Sequence, residues 1–156
     1  MAYKLFPFHN VNGSVGRNGS NRPDDVRLVQ GLLDLAFGMH PLEETQLIAK
    51  DLGGPIPQRK IVVNGIYTDD LAAYIEMMQR TGKKKGKPYI IDGKANVVPH
   101  EGHYFDLKTK TGTGAHYILV GINEVAMIHN PKGFLELGER IGVRHKVTSS
   151  DGVISV

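Results

Sequence analysis

The sequence predicts a mainly α-helical domain, a bundle of three helices with short strand or turn elements and a carboxy-terminal extension. Apolar residues recur at three-and-four spacing in three separate windows, which keeps one face of a helix on a core. The first two windows open on a helix-starting residue followed by paired aspartates, Pro23-Asp24-Asp25 and Thr68-Asp69-Asp70. Two short apolar runs, Ile61 to Val63 and Tyr89 to Ile91, each lead into a Gly-containing turn, Asn64-Gly65 and Asp92-Gly93.

The first helix is predicted from Pro23, with Asn21 as its cap. Val26, Val29, Leu32, Leu33, Ala36 and Phe37 form its buried stripe, and Gly38 ends it. Ahead of it, the Gly-, Asn- and Ser-rich residues 9–22 read as a lead-in loop, so residues 1–22 are set apart from the domain at 23–130. Residues 41–60 form an insertion. Within it Pro41 can open a short helix carrying Leu42, Leu47, Ile48 and Leu52, stopped by Gly53, Gly54, Pro55 and Pro57.

The β-branched run at 61–63 predicts a short strand, and Asn-Gly suits a tight turn with positive φ values. The next helix is capped by Thr68, buries Leu71, Ala72, Ile75 and Met78, and is expected to stop at Gly82. Tyr117, Ile118, Ile122 and Val125 predict the third helix, ending before Pro131. Residues 131–156 are the extension, whose last part alternates around Asp151-Gly152 and reads as a small hairpin.

The chain has 156 residues, 40% hydrophobic and 22% charged, which suffices for a core without disulfide or metal support. It has no cysteine, so thiol nucleophiles, thiol ligands and disulfides are excluded. Nineteen Lys and Arg against 16 Asp and Glu give a net charge of +3, too small to indicate nucleic-acid binding by itself. No apolar run approaches the about 20 residues that a membrane-spanning helix needs. The amino-terminal residues lack the apolar stretch and cleavage site of a secretory signal. The expected location is therefore the cytoplasm, or the periplasm or cell wall reached by phage lysis or a signal-independent secretion system.

Three strings carry a resemblance: SVGRNGSNRPDDVRLVQGLLDL (14–35), VNGIYTDDLAAYIEMMQ (63–79) and IDGKANVVP (91–99). In order and approximate spacing they resemble the peptidoglycan-binding-like domain, a small three-helix bundle with the signature D-V-x-x-V-Q-x-L-L, a V-D-G block ending in Gln, and a further D-G. Asp25, Val26, Val29, Gln30, Leu32 and Leu33 match the first block, while Val63, Gly65, Tyr67, Ala72, Ile75, Met78 and Gln79 match the second. Asp92 and Gly93 match the third. Asn64 stands where the family has Asp, which keeps the turn and removes a negative charge. Thr68 and Leu71 replace the family's second glycine and its threonine.

The resemblance implies a noncatalytic module that binds peptidoglycan or another anionic wall polymer, without a cofactor. The expected cleft lies between the first helix and the start of the helix at 68. Its candidate ligand contacts are Asn64, Tyr67, Thr68 and Asp69, with Gln30 and Gln79. Tyr67 is equally a candidate core ring. Arg80, Lys83, Lys84, Lys85 and Lys87 form a basic flank, read either as a hydrated connection or as an attraction for an anionic polymer. Aromatic residues are sparse beside it, which argues against stacking on nucleic-acid bases.

A protein-interaction module on the same scaffold is the alternative. A third reading, a small zinc-dependent wall hydrolase, rests on His100, His103 and His116 with Glu101 and Asp106. His-Glu-Gly-His is one residue short of the helical zinc motif, and Gly102 disfavours the helix that would align its histidines. No metal is therefore expected. Ser14 and Ser20 lack a nucleophile elbow, and the glycines at 13, 16 and 19 are followed by no Gly-Lys-Ser/Thr, so they read as loop geometry.

Overall fold

The computed structural model describes residues 9–98, 117–137, 146–149 and 152–155. The chain is mainly helical. The described elements are β1 (Val15–Gly16), α1 (Pro23–Phe37), α2 (Leu42–Asp51), α3 (Asp69–Lys84), β2 (Lys94–Ala95), α4 (Ile118–His129), α5 (Pro131–Leu135), β3 (Lys146–Ser149) and β4 (Gly152–Ser155). The three principal helices of the sequence pattern are α1, α3 and α4, and among the described residues two shorter ones, α2 and α5, accompany them.

The most apolar helix is the centre of the core. Ile118, Leu119, Val120, Ile122, Ala126 and Met127 of α4 are all buried, and α4 packs against both α1 and α3. The predicted stripe of α1 is buried from Val26 to Ala36, with Phe37 half-buried. Asn123 of α4 reaches out of the helix to grip the chain near its start. Its Oδ1 accepts from His9 N at 2.8 Å and its Nδ2 donates to His9 O at 3.0 Å. The His9 ring stands edge-on to Phe134 of α5, and its Nε2 lies 2.8 Å from Phe134 O.

Residues 9–22 are thus built into the domain. Val11 and Val15 are buried, and Val15 pairs antiparallel with Ala95 in a two-residue ladder between β1 and β2. The buried carboxylate of Asp25 accepts from Asn12 N and Gly13 N, both at 2.9 Å, and so binds the loop to α1. Asn21 is not the cap of α1. Arg22 holds that position, and Asn21 sits at φ 51°, with its amide bonded to Gly16 N and Gly16 O. A residue in the left-handed region cannot supply the β-region backbone that an N-cap requires.

Thr68 does cap α3, its hydroxyl accepting from Leu71 N at 3.3 Å. Gly82 does not end that helix, which continues to Lys84, with Gly86 at φ 87° beyond it. Gly82 instead makes room for a ring, since a Cβ there would overlap Tyr89. Replacing it with alanine gains about 1 kcal/mol of helix propensity and costs about 1–3 kcal/mol of overpacking. We expect Gly82→Ala to be net destabilising by about 1 kcal/mol, measured as a lowered urea midpoint.

Residues 61–63 form no strand. Among the described residues no segment offers them a ladder and their backbone groups form no hydrogen bond. β-propensity alone does not make a strand without a partner. The predicted terminal hairpin is present, with Ser149 paired to Gly152 and Lys146 to Ser155.

Candidate functional site

Two turns organise the candidate sites, and each is held by one glutamine. Gln30 of α1 accepts from Asn64 N and Gly65 N at 2.9 and 2.8 Å, and its Nε2 donates to Asn64 Oδ1 and Ile66 O at 3.1 and 3.0 Å. Gln79 of α3 repeats the arrangement on the second turn. It accepts from Asp92 N and Gly93 N at 3.1 and 2.9 Å and donates to Asp92 Oδ1 and Lys94 O at 2.9 and 3.2 Å.

A primary amide has two donors and two acceptor positions, so both glutamines are fully used. The sequence marks them as candidate ligand contacts, and the geometry gives them a different role, in which each fixes a turn and has no hydrogen bond left for a ligand. Only the glycine of each turn has positive φ, 76° at Gly65 and 68° at Gly93, so neither turn needs left-handed backbone at its Asn or Asp.

The two turns use Asn64 and Asp92 identically, through one side-chain oxygen. Asn64 Oδ1 also accepts from Ile66 N at 2.9 Å, and Asp92 Oδ1 from Lys94 N at 3.0 Å. The charge is therefore irrelevant to the turn. Asn64→Asp should change stability by less than about 0.5 kcal/mol, measured by urea unfolding.

A groove of about 140 Å³ lies at the first turn, where the sequence predicts a cleft between α1 and the start of α3. Its walls include Ile61, Val62 and Ile66 on the loop and Leu71 and Tyr74 on α3. Asn64 and Thr68 line it as well, and both are exposed. Asn64 Nδ2 has no hydrogen-bond acceptor among the described residues. Arg59 and Lys60 stand exposed at the rim, and neither forms an ion pair among the described residues. The Tyr74 hydroxyl is already committed, donating to Arg59 O at 2.9 Å. Burial, and secondarily the Asp70 carboxylate, push this phenol up to about 12.

Tyr67 is half-buried and is not part of this lining; its hydroxyl lies 3.5 Å from Asp69 Oδ1. Burial first, and then the Asp69 charge, raise its pKa. Asp69 is exposed in the first turn of α3.

The basic flank divides. Lys83, Lys84 and Lys85 are exposed at the end of α3 and Lys87 is half-buried, whereas Arg80 is engaged. Arg80 Nε donates to Glu76 Oε2 at 2.9 Å, Arg17 Nη1 donates to Glu76 Oε1 at 3.0 Å, and Arg80 Nη1 donates to Leu52 O at 3.3 Å. Burial works to raise the Glu76 pKa, but the two guanidinium groups together outweigh it and hold the carboxyl below its ordinary value. Sequence reasoning missed this ion cluster, because Arg17 and Glu76 are distant in the chain and carry no local signal. His100, His103 and His116 lie outside the described residues.

Comparison with protein-family models, curated proteins and solved structures finds no match.

Proposed function

We propose that the chain is a noncatalytic module of the peptidoglycan-binding-like type, which docks on peptidoglycan or a related anionic wall polymer through the groove at the first turn. The observation that carries this reading is a rigid turn beside a groove with free polar groups. Gln30 fixes the Asn64 backbone and Oδ1, leaving Nδ2 to donate outward next to the exposed cations of Arg59 and Lys60. A carboxylate-bearing, hydroxyl-rich polymer offers acceptors to both. The motifs behind the resemblance support the same reading, since Gln30, Asn64-Gly65, Gln79 and Asp92-Gly93 together form the two clamps. Delivery by phage lysis or a signal-independent secretion system is part of this proposal.

A second reading has its own observation. Met39 is 95% exposed and Leu47 62% exposed, with Ile48 and Ile56 on the same insertion as Leu47, an apolar display suited to a protein partner.

Sedimentation with purified insoluble wall material separates them. Wall binding through the groove predicts pelleting that high salt weakens, by screening exposed Arg59 and Lys60, but does not abolish, and that is lost in Val62→Glu, a change at an exposed groove residue. Pelleting abolished by salt and unchanged in Val62→Glu would reduce the interaction to the lysine run, and no pelleting would favour the protein-interaction reading.

A further inference from the structure

The second turn has a groove of its own. About 190 Å³ in volume, it is lined by Gln79, Tyr89, Ile90, Asp92, Lys94, Asn96, Tyr117 and Ile118. It repeats the first: Val62, Asn64 and Thr68 there correspond in order to Ile90, Asp92 and Asn96 here. Its chemistry differs. Each groove has one lining carboxylate, Asp70 in the first and Asp92 in the second, but among the described residues the first groove's aromatic lining is the committed Tyr74 alone, whereas the second has two tyrosines.

Tyr89 is the residue around which this groove is built. It is 8% exposed, and two helices forgo a side chain to seat it. A Cβ on Gly82 of α3 would overlap its ring, and one on Gly121 of α4 would lie 2.5 Å from its hydroxyl. That hydroxyl forms no hydrogen bond among the described residues, and the residue lines the groove. Phenylalanine would fill the same space without an unpaired polar atom, so the hydroxyl has no packing role. Burial, and next the Glu124 charge, push the phenol up to about 12, so it stays protonated and able to donate. Asp92 Oδ2 has no partner among the described residues, and exposed Asn96 adds an amide at the rim.

We propose that this second groove is a saccharide subsite that takes a single sugar ring. The half-buried Tyr117 ring and the exposed Ile90 supply surface for the C–H face of a pyranose, over a floor that includes buried Tyr89 and Ile118. The Tyr89 hydroxyl, Asp92 and Asn96 supply a donor, an acceptor and an amide for its hydroxyl and acetamido groups. At about 190 Å³ the groove is smaller than the roughly 300–1,000 Å³ of pockets that enclose drug-sized ligands, which limits it to one ring. This inference rests on the wall-binding reading and deepens it, giving the module separate contacts for the charged part of the polymer and for its sugar.

The test titrates N-acetylglucosamine and its β-1,4-linked trimer into the full chain by calorimetry, alongside wall sedimentation. Tyr89→Phe keeps the ring, and Asn96→Ala alters an exposed residue, so both should unfold at the wild-type temperature. We expect each to raise the Kd for the trimer at least fivefold, and Val62→Glu in the first groove to leave it unchanged. Loss of sugar binding in Val62→Glu but not in Tyr89→Phe would overturn the assignment. Pelleting without any sugar binding would overturn it and leave the wall reading standing. Sugar binding that depends on Tyr89 without pelleting would support the subsite and overturn the wall reading, and absence of both would overturn both.

Discussion

Replacing Gln79 with alanine should lower stability by about 3 kcal/mol, read as a fall in urea midpoint at unchanged slope. Four hydrogen bonds vanish, and the N–H of buried Gly93 loses its acceptor. Each net bond is worth about 1 kcal/mol, and a buried donor left unpaired costs about 1–3 kcal/mol. Gln30→Ala also leaves the N–H of buried Gly65 unpaired, but it should cost somewhat less, about 2 kcal/mol, because Asn64 and Ile66 are exposed and water can replace their lost bonds. The glutamate variants separate the two clamps further. Gln79→Glu brings a carboxylate against Asp92 and should be at least as damaging as alanine, with Asp92→Asn restoring much of the loss. Gln30→Glu faces the neutral Asn64, whose amide can turn to donate, and should be milder.

Glu76→Gln should cost about 2–3 kcal/mol at neutral pH. Breaking a buried ion pair typically costs about 3–5 kcal/mol, reduced here because both arginines are partly exposed and glutamine retains one acceptor. The loss is structural as well as electrostatic. Through Arg17 the carboxylate ties the β1 loop to α3, and through Arg80 it ties the end of α2, a helix that buries only Thr45 and Ala49.

The pH dependence has a definite sign. Because the folded pKa of Glu76 is below its ordinary value of 4.5, the contribution is complete above that value and disappears as pH falls through the lowered folded pKa. Wild type and Glu76→Gln should therefore differ most at pH 7 and converge in acid, where the wild-type side chain is itself neutral. Urea midpoints for both proteins at several pH values test this, and a gap that does not change with pH would contradict it.

Much of this fold is legible in local patterns. The stripes of α1, α3 and α4 and the Thr68 cap follow from apolar spacing and end residues, and even the short helix opened by Pro41 is visible. Features made by distant residues are not. The Val15–Ala95 ladder is two residues long on each side and has no alternating pattern to reveal it. Asn21 illustrates a different ambiguity, since asparagine favours both helix caps and left-handed turns, and only the surrounding loop decides. Gly82 shows the same for glycine, which reads as a helix stop although here a tyrosine ring needs the space. The motifs single out the two glutamines, but a sequence does not say that an amide is already saturated. The first groove's location is legible from the turn and cap that build it, whereas the second requires knowing that Tyr89 sits against Gly121.

The most direct test is amide chemical-shift mapping of the full chain with soluble fragments of wall polymer. Binding through the two grooves predicts shifts clustered at residues 59–71, with a second cluster at 89–96. Shifts confined to the lysine run at 83–87 or to the insertion at 41–60, or no shifts at saturating fragment, would contradict it.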